Sequence, residues 1–90
     1  MKGIKLPYLV QNDIWCTCKL YDQKPLRLQQ KIDRMILRYG KDYSDALRAL
    51  LLTENETVAI TLQYHVSASQ LYKMRKRFYE NWRQHIETEN

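Results

Sequence analysis

The chain has few residues that break or cross-link a backbone: two glycines, two prolines and two cysteines among 90 residues. Cys16 and Cys18 stand one residue apart, poorly placed to bridge each other, and no secretory segment is evident. This speaks against an extracellular disulfide scaffold and for a reduced, cytoplasmic protein. The same C-x-C pair, with only the distant His65 and His85 beside it, lacks the spacing and ligand number of a structural zinc site. No metal is expected, and the thiols read as core residues. No glycine-rich phosphate loop, nucleophile motif or paired-carboxylate pattern is present, so neither catalysis nor a cofactor is expected. No apolar run approaches the roughly 20 residues that cross a bilayer, so no membrane partner is expected.

What the chain does have is positive charge, unevenly placed. Fifteen Lys and Arg against ten Asp and Glu leave a net charge of +5, which favours a polyanionic partner. Residues 53–65 hold Glu54 and Glu56 and no Lys or Arg, whereas Lys73, Arg75, Lys76 and Arg77 follow within five positions with no acidic residue until Glu80. Ninety residues suit one domain with a single modest core.

Apolar periodicity predicts an all-α fold, a small helical bundle over residues 1–90. The opening MKGIKLPYLV reads as extended or irregular, because Gly3 and Pro7 discourage an early helix. Asn12 or Asp13 is a plausible N-cap for a helix reaching Gln23 through Ile14, Trp15, Cys18 and Tyr21, although TCKLY also fits a short strand. The next helix has Pro25 in its first turn, an apolar stripe of Leu28, Ile32, Met35, Ile36 and Tyr39, and Gly40 as its stop. Arg27, Lys31, Arg34 and Arg38 fall on its other face. Asp42 or Ser44 is expected to cap a helix carrying Ala46, Leu47, Leu50 and Leu51. Thr53 and Glu56 have the spacing of a capping box that starts a further helix near Glu54 and ends it near Tyr64.

The segment 57–77, TVAITLQYHVSASQLYKMRKR, carries the functional argument. Ile60, Tyr64, Val66, Leu71 and Met74 are spaced 4, 2, 5 and 3 residues apart. Two helices that meet across a turn at Val66-Ser67-Ala68-Ser69 bury all five together, which predicts a helix-turn-helix at about 54–80. Ser67 or Ser69 caps the final helix, whose stripe continues through Phe78, Trp82 and Ile86. Its cationic face is of a width that fits the major groove of double-stranded DNA. Arg75, beside Leu71 and Phe78, is expected to lie over the core. His65 reads as a turn residue, His85 as a surface residue near a helix end, and Trp15, Tyr21 and Trp82 as core aromatics before base-stacking ones.

At TVAITLQYHVSASQLYKMRKRFYENW the chain resembles the phage sigma-region-4-like helix-turn-helix regulators, the late-gene activator and ArpU-type families. The resemblance covers the last third to half of the chain. It departs from the usual pattern at Thr61, where such motifs most often place Ala, and at His65, where they often place Gly. The resemblance implies DNA contact through Ser67, Ser69, Gln70, Tyr72, Lys73, Lys76 and Arg77. It implies a phage transcription regulator, and symmetric half-sites would call for a homodimer. Two other functions fit the same residues. One is the DNA-recognition protein of a phage packaging terminase; the other is an inhibitor or adaptor that docks on a host protein such as RNA polymerase.

Overall fold

The structure is a computed structural model that describes residues 3–85. Ile86, expected at the end of the last apolar stripe, lies outside the described residues. Five α-helices follow one another: α1 (Tyr8–Lys19), α2 (Leu26–Gly40), α3 (Ser44–Leu52), α4 (Thr57–Tyr64) and α5 (Ala68–Glu80). Short 3₁₀ turns occupy Tyr21–Gln23, Lys41–Tyr43 and Trp82–Gln84. Among the described residues there is no strand, and the fold is all-α. No helix among them is long and apolar enough to cross a membrane.

The helix starts differ from the sequence expectation for local reasons. α1 begins at Tyr8, and Asn12 and Asp13 lie exposed inside it. Pro7 starts the helix: its ring fixes φ at −56°, and its carbonyl accepts from the Val10 and Gln11 amides at 3.0 and 3.1 Å. The strand alternative at TCKLY is not adopted; α1 runs through Lys19, and a 3₁₀ turn carries the chain on to Gln23. Neither Asp42 nor Ser44 caps α3, which follows directly on the 3₁₀ turn with Tyr43 at its N-cap. The Thr53–Glu56 capping box also does not form. The Thr53 hydroxyl instead donates back to the Ala49 carbonyl and accepts from the Asn55 amide at 3.2 Å, so α4 starts at Thr57 with Glu56 at its N-cap. The carbonyls at this end of α3 are met from outside, where the Lys19 ammonium donates to Leu50 at 3.1 Å and to Thr53. A cation at a helix C-terminus is favourably placed against the helix dipole.

α3 touches each of the other four helices and forms the centre of the core. Its small Ala46 and Ala49 permit that approach, while Leu47 and Leu51 fill the space between neighbours. Gly40 serves the same purpose at the corner between α2 and α3: a Cβ there would stand 3.3 Å from Ser44 Cβ and 3.4 Å from Leu47 Cβ. Gly40 is the last helical residue, and the positive φ that ends α2 belongs to Lys41 instead. On α2, Ile32, Met35 and Ile36 are buried as the stripe requires. Lys31 is buried too, contrary to its expected place on the solvent face, with its ammonium 3.8 Å from the centre of the Trp82 ring.

α5 closes the core with Leu71, Met74, Phe78 and Tyr79, which pack against α2 and α3. The helix ends at Glu80, and the Trp82–Gln84 turn folds Trp82 back onto Phe78, ring centroids 5.7 Å apart. The aromatic end of the chain therefore packs against its own domain. Leu71 is 1 % exposed. Leu71→Ala is expected to cost about 2–5 kcal/mol through lost transfer energy and the cavity left behind, a large part of the stability of a small domain. Chemical denaturation monitored by circular dichroism checks this; a parental midpoint would contradict the packing.

Candidate nucleic-acid interface

The site begins at the junction of α4 and α5. α4 ends at His65, which adopts the left-handed conformation at φ 55° and ψ 45°. Its amide and that of Val66 both turn back to the Thr61 carbonyl, the latter at 3.3 Å. Histidine tolerates this region better than most side chains, so the absent glycine is replaced at modest cost. His65 is exposed and acts as a turn residue; Val66 beside it is buried, and Tyr64 is half-buried against the core. Ile60, Val66, Leu71 and Met74 are all buried. The spacing read in the sequence thus places these residues in one core across a turn of three residues.

Ser67 is the N-cap of α5, and Gln70 completes a capping box with it. The Gln70 amide donates to Ser67 Oγ at 3.0 Å, and the Ser67 amide donates to Gln70 Oε1 at 3.1 Å. Gln70 is exposed, as a DNA-facing residue must be, but its carbonyl oxygen is occupied by its own helix. A bidentate contact with adenine needs that oxygen as acceptor and the amide nitrogen as donor. The capping box and adenine readout therefore compete for the same atom.

At about 100° per residue, the buried side of α5 fixes what the other side presents. Ser69, Gln70, Lys73, Lys76 and Arg77 fall on an arc opposite Leu71, Met74 and Phe78. Ser67, Ser69, Gln70, Tyr72, Lys73 and Arg77 are exposed and Lys76 is half-buried. Tyr72 lies on the flank of the arc with the Arg75 guanidinium 4.8 Å from its ring centre. Arg75 is half-buried, as its place between Leu71 and Phe78 predicts, and its Nε has no hydrogen-bond partner. Among the described residues the one ion pair joins Arg48 to Asp33 at 2.8 Å, so Lys73, Lys76 and Arg77 carry unneutralised charge.

Two neighbours join this face that the sequence does not associate with it. The first is the turn after α2: Lys41, Asp42 and Tyr43 share a depression of about 250 Å³ with Gln70, Lys73 and Arg77. The second is the segment before α1, where Gly3 and Ile4 line a smaller hollow with Tyr72, Lys73, Arg75 and Lys76, and the Lys5 amide donates to the Glu80 carboxylate at 2.8 Å. No sequence pattern links residue 41 to residue 73; only packing of α2 against α5 brings them together.

Other titratable groups serve the fold. Burial pushes the Cys18 thiol up to about 12, which keeps it neutral in the core, and burial raises Tyr79 likewise to about 12. His85 is not the simple surface residue that its position near a helix end suggests: it is half-buried beside α2, with Nε2 2.9 Å from the Tyr39 hydroxyl. Burial and then the charges of Arg38, Arg34 and Lys31 hold its pKa below the usual histidine value. Among the described residues, no group of three or more His, Cys, Asp and Glu is placed to hold a metal ion. Compared with protein-family models, curated proteins and solved structures, the chain matches none of them.

The capping box gives a direct check on the geometry of this face. Ser67→Ala removes the hydroxyl that satisfies the Gln70 amide and is expected to cost about 1 kcal/mol. Gln70→Glu keeps the reciprocal acceptor and adds a charge that suits a helix N-terminus, so it is expected to preserve stability. Urea denaturation of the two variants decides; equal stability of Ser67→Ala and parent would show that the cap is not formed.

Proposed function

We propose that the protein binds double-stranded DNA through the exposed face of α5, with Lys73, Lys76 and Arg77 on phosphates and Ser67, Ser69, Gln70 and Tyr72 near base edges or sugars. The observation that carries this reading is the two-sided character of α5. One side closes the core, which holds the helix rigid, while the other presents three cations with no described ion partner just after a capped turn. In helix-turn-helix proteins the second helix lies in the major groove with its N-terminal residues on base edges, and this is the docking proposed for α5. The capping box shifts the expected roles. With Gln70 Oε1 engaged by the Ser67 amide, phosphate contacts by the cations supply most of the affinity.

By its resemblance to phage sigma-region-4-like regulators, the duplex-binding role is assigned to transcription control in a bacterial host, with packaging-terminase recognition as the related use of the same face. Reading of two half-sites calls for a homodimer. Phe78 and Tyr79 are buried in the domain's own core and Trp82 packs against it, so these rings are already engaged within the fold. Sedimentation that finds only monomer on DNA would contradict the dimer.

A second reading is favoured by one observation. Tyr8 and Leu9 on α1 and Val58 and Leu62 on α4 are 72 %, 79 %, 66 % and 72 % exposed, which suits docking on a host protein such as RNA polymerase. Affinity measured over a salt series on specific and scrambled duplexes separates the two. Lys73→Ala, Lys76→Ala and Arg77→Ala are each expected to make the dependence of log K on log salt shallower by about 0.9 for each phosphate no longer neutralised. Gln70→Glu is expected to weaken binding while leaving the fold intact. Unchanged affinity in all four folded variants would remove α5 as the contacting element and favour the protein-docking reading.

A further inference from the structure

Lys41 holds a backbone conformation that glycine favours. Its φ of 49° and ψ of −120° lie in the left-handed half of conformational space, where a side chain costs of order 1–3 kcal/mol. The glycine of this corner stands one residue earlier. At position 40 the requirement is space, since an added Cβ would approach Ser44 and Leu47 at 3.3–3.4 Å. At position 41 the requirement is torsional, and there the chain carries a long cation. Strain of this kind, which a single substitution by glycine would relieve, points to a use for the side chain.

The exposed Lys41 lines the depression of about 250 Å³ that it shares with Lys73 and Arg77 of α5. Three cations face it against the single carboxylate of Asp42, and none of the three has an ion partner among the described residues. Gln70 and Tyr43, which carry hydrogen-bonding side chains, also line it. A compact ammonium with three donors on one side and a lysine and a guanidinium on the other is chemistry suited to a tetrahedral oxyanion.

We propose that this depression is a phosphate clamp, in which one backbone phosphate of a bound duplex is held between Lys41 on the α2–α3 turn and Lys73 and Arg77 on α5. This rests on the reading of α5 as the DNA-contacting helix and adds to it a contact from a second element. Cations on one helix alone leave that helix able to roll about its axis against the backbone. A cation from a separate turn fixes the roll, and with it the register of base contacts.

The test sets stability against affinity. Lys41→Gly relieves the torsional strain and removes the ammonium, so its Tm is expected to rise while its affinity for duplex DNA falls. With less of the phosphate charge neutralised, the salt dependence becomes shallower by up to about 0.9, which between 1 M and 0.1 M salt amounts to a loss of up to about eightfold relative to parent. Lys41→Arg keeps the cation and the strained backbone and binds like the parent. Arg27→Ala is the control for charge alone: it lies 14 residues away on α2, about 20 Å along the helix and beyond the roughly 10 Å Debye length at 0.1 M, and leaves the salt slope unchanged. Parental affinity and slope in Lys41→Gly, equal losses in Lys41→Gly and Lys41→Arg, or an Arg27→Ala loss equal to that of Lys41→Gly each overturns the clamp while the α5 reading stands. A parent protein that binds no duplex overturns both.

Discussion

The whole arrangement depends on one helix being used on two sides. α5 must bury Leu71, Met74, Phe78 and Tyr79 to close a core that 90 residues can barely supply. Those four positions set the rotation of the helix about its axis. The rotation in turn directs Lys73, Arg77 and Gln70 to solvent as one arc, so no separate device is needed to orient the cationic face. Rigidity of the face follows from the same packing, because side chains in a close-packed interior hold their neighbours in place.

The other elements support this helix. α3 occupies the centre and is short and rich in Ala and Leu, so four helices can reach it. Lys19 holds the carbonyls at its end, and Asp33 links Arg48 and the Tyr21 hydroxyl on its flank. The Asp33–Arg48 pair is about 40 % exposed on both sides, which limits its worth to about 0–1 kcal/mol. Apolar burial therefore outweighs ion pairing in holding α2 and α3 together.

The helical class, the helix order and four of the five core residues around the turn were legible in the sequence, because periodicity reports directly on which side of a helix is buried. Helix starts were not. Asn12, Asp13, Asp42 and Thr53 all have the chemistry of caps, yet Pro7 starts α1 earlier, and the Thr53 hydroxyl finds a nearer partner in Ala49. Ser67 does cap its helix, but the glutamine expected to read bases is the residue that completes the cap. Lys31 and His85 show the other kind of limit. Each has the sequence setting of a surface residue, and each is drawn inward by a ring distant in sequence, Trp82 for one and Tyr39 for the other. Lys41 joins the α5 face by the same kind of long-range packing, which no local pattern announces.

The central claim is that the protein meets duplex DNA with the outer arc of the core-locked α5 and the adjoining turn at Lys41–Tyr43, and not with α1. It is tested most directly by following backbone amide signals by NMR as a duplex is titrated into the labelled protein at moderate salt. The account predicts that the largest shifts fall on residues 67–77 of α5 and on the turn at Lys41–Tyr43, with the amides of α1 nearly unmoved. Shifts centred on Tyr8, Leu9 and Trp15, or no shifts at a concentration that saturates basic DNA-binding domains, would contradict it.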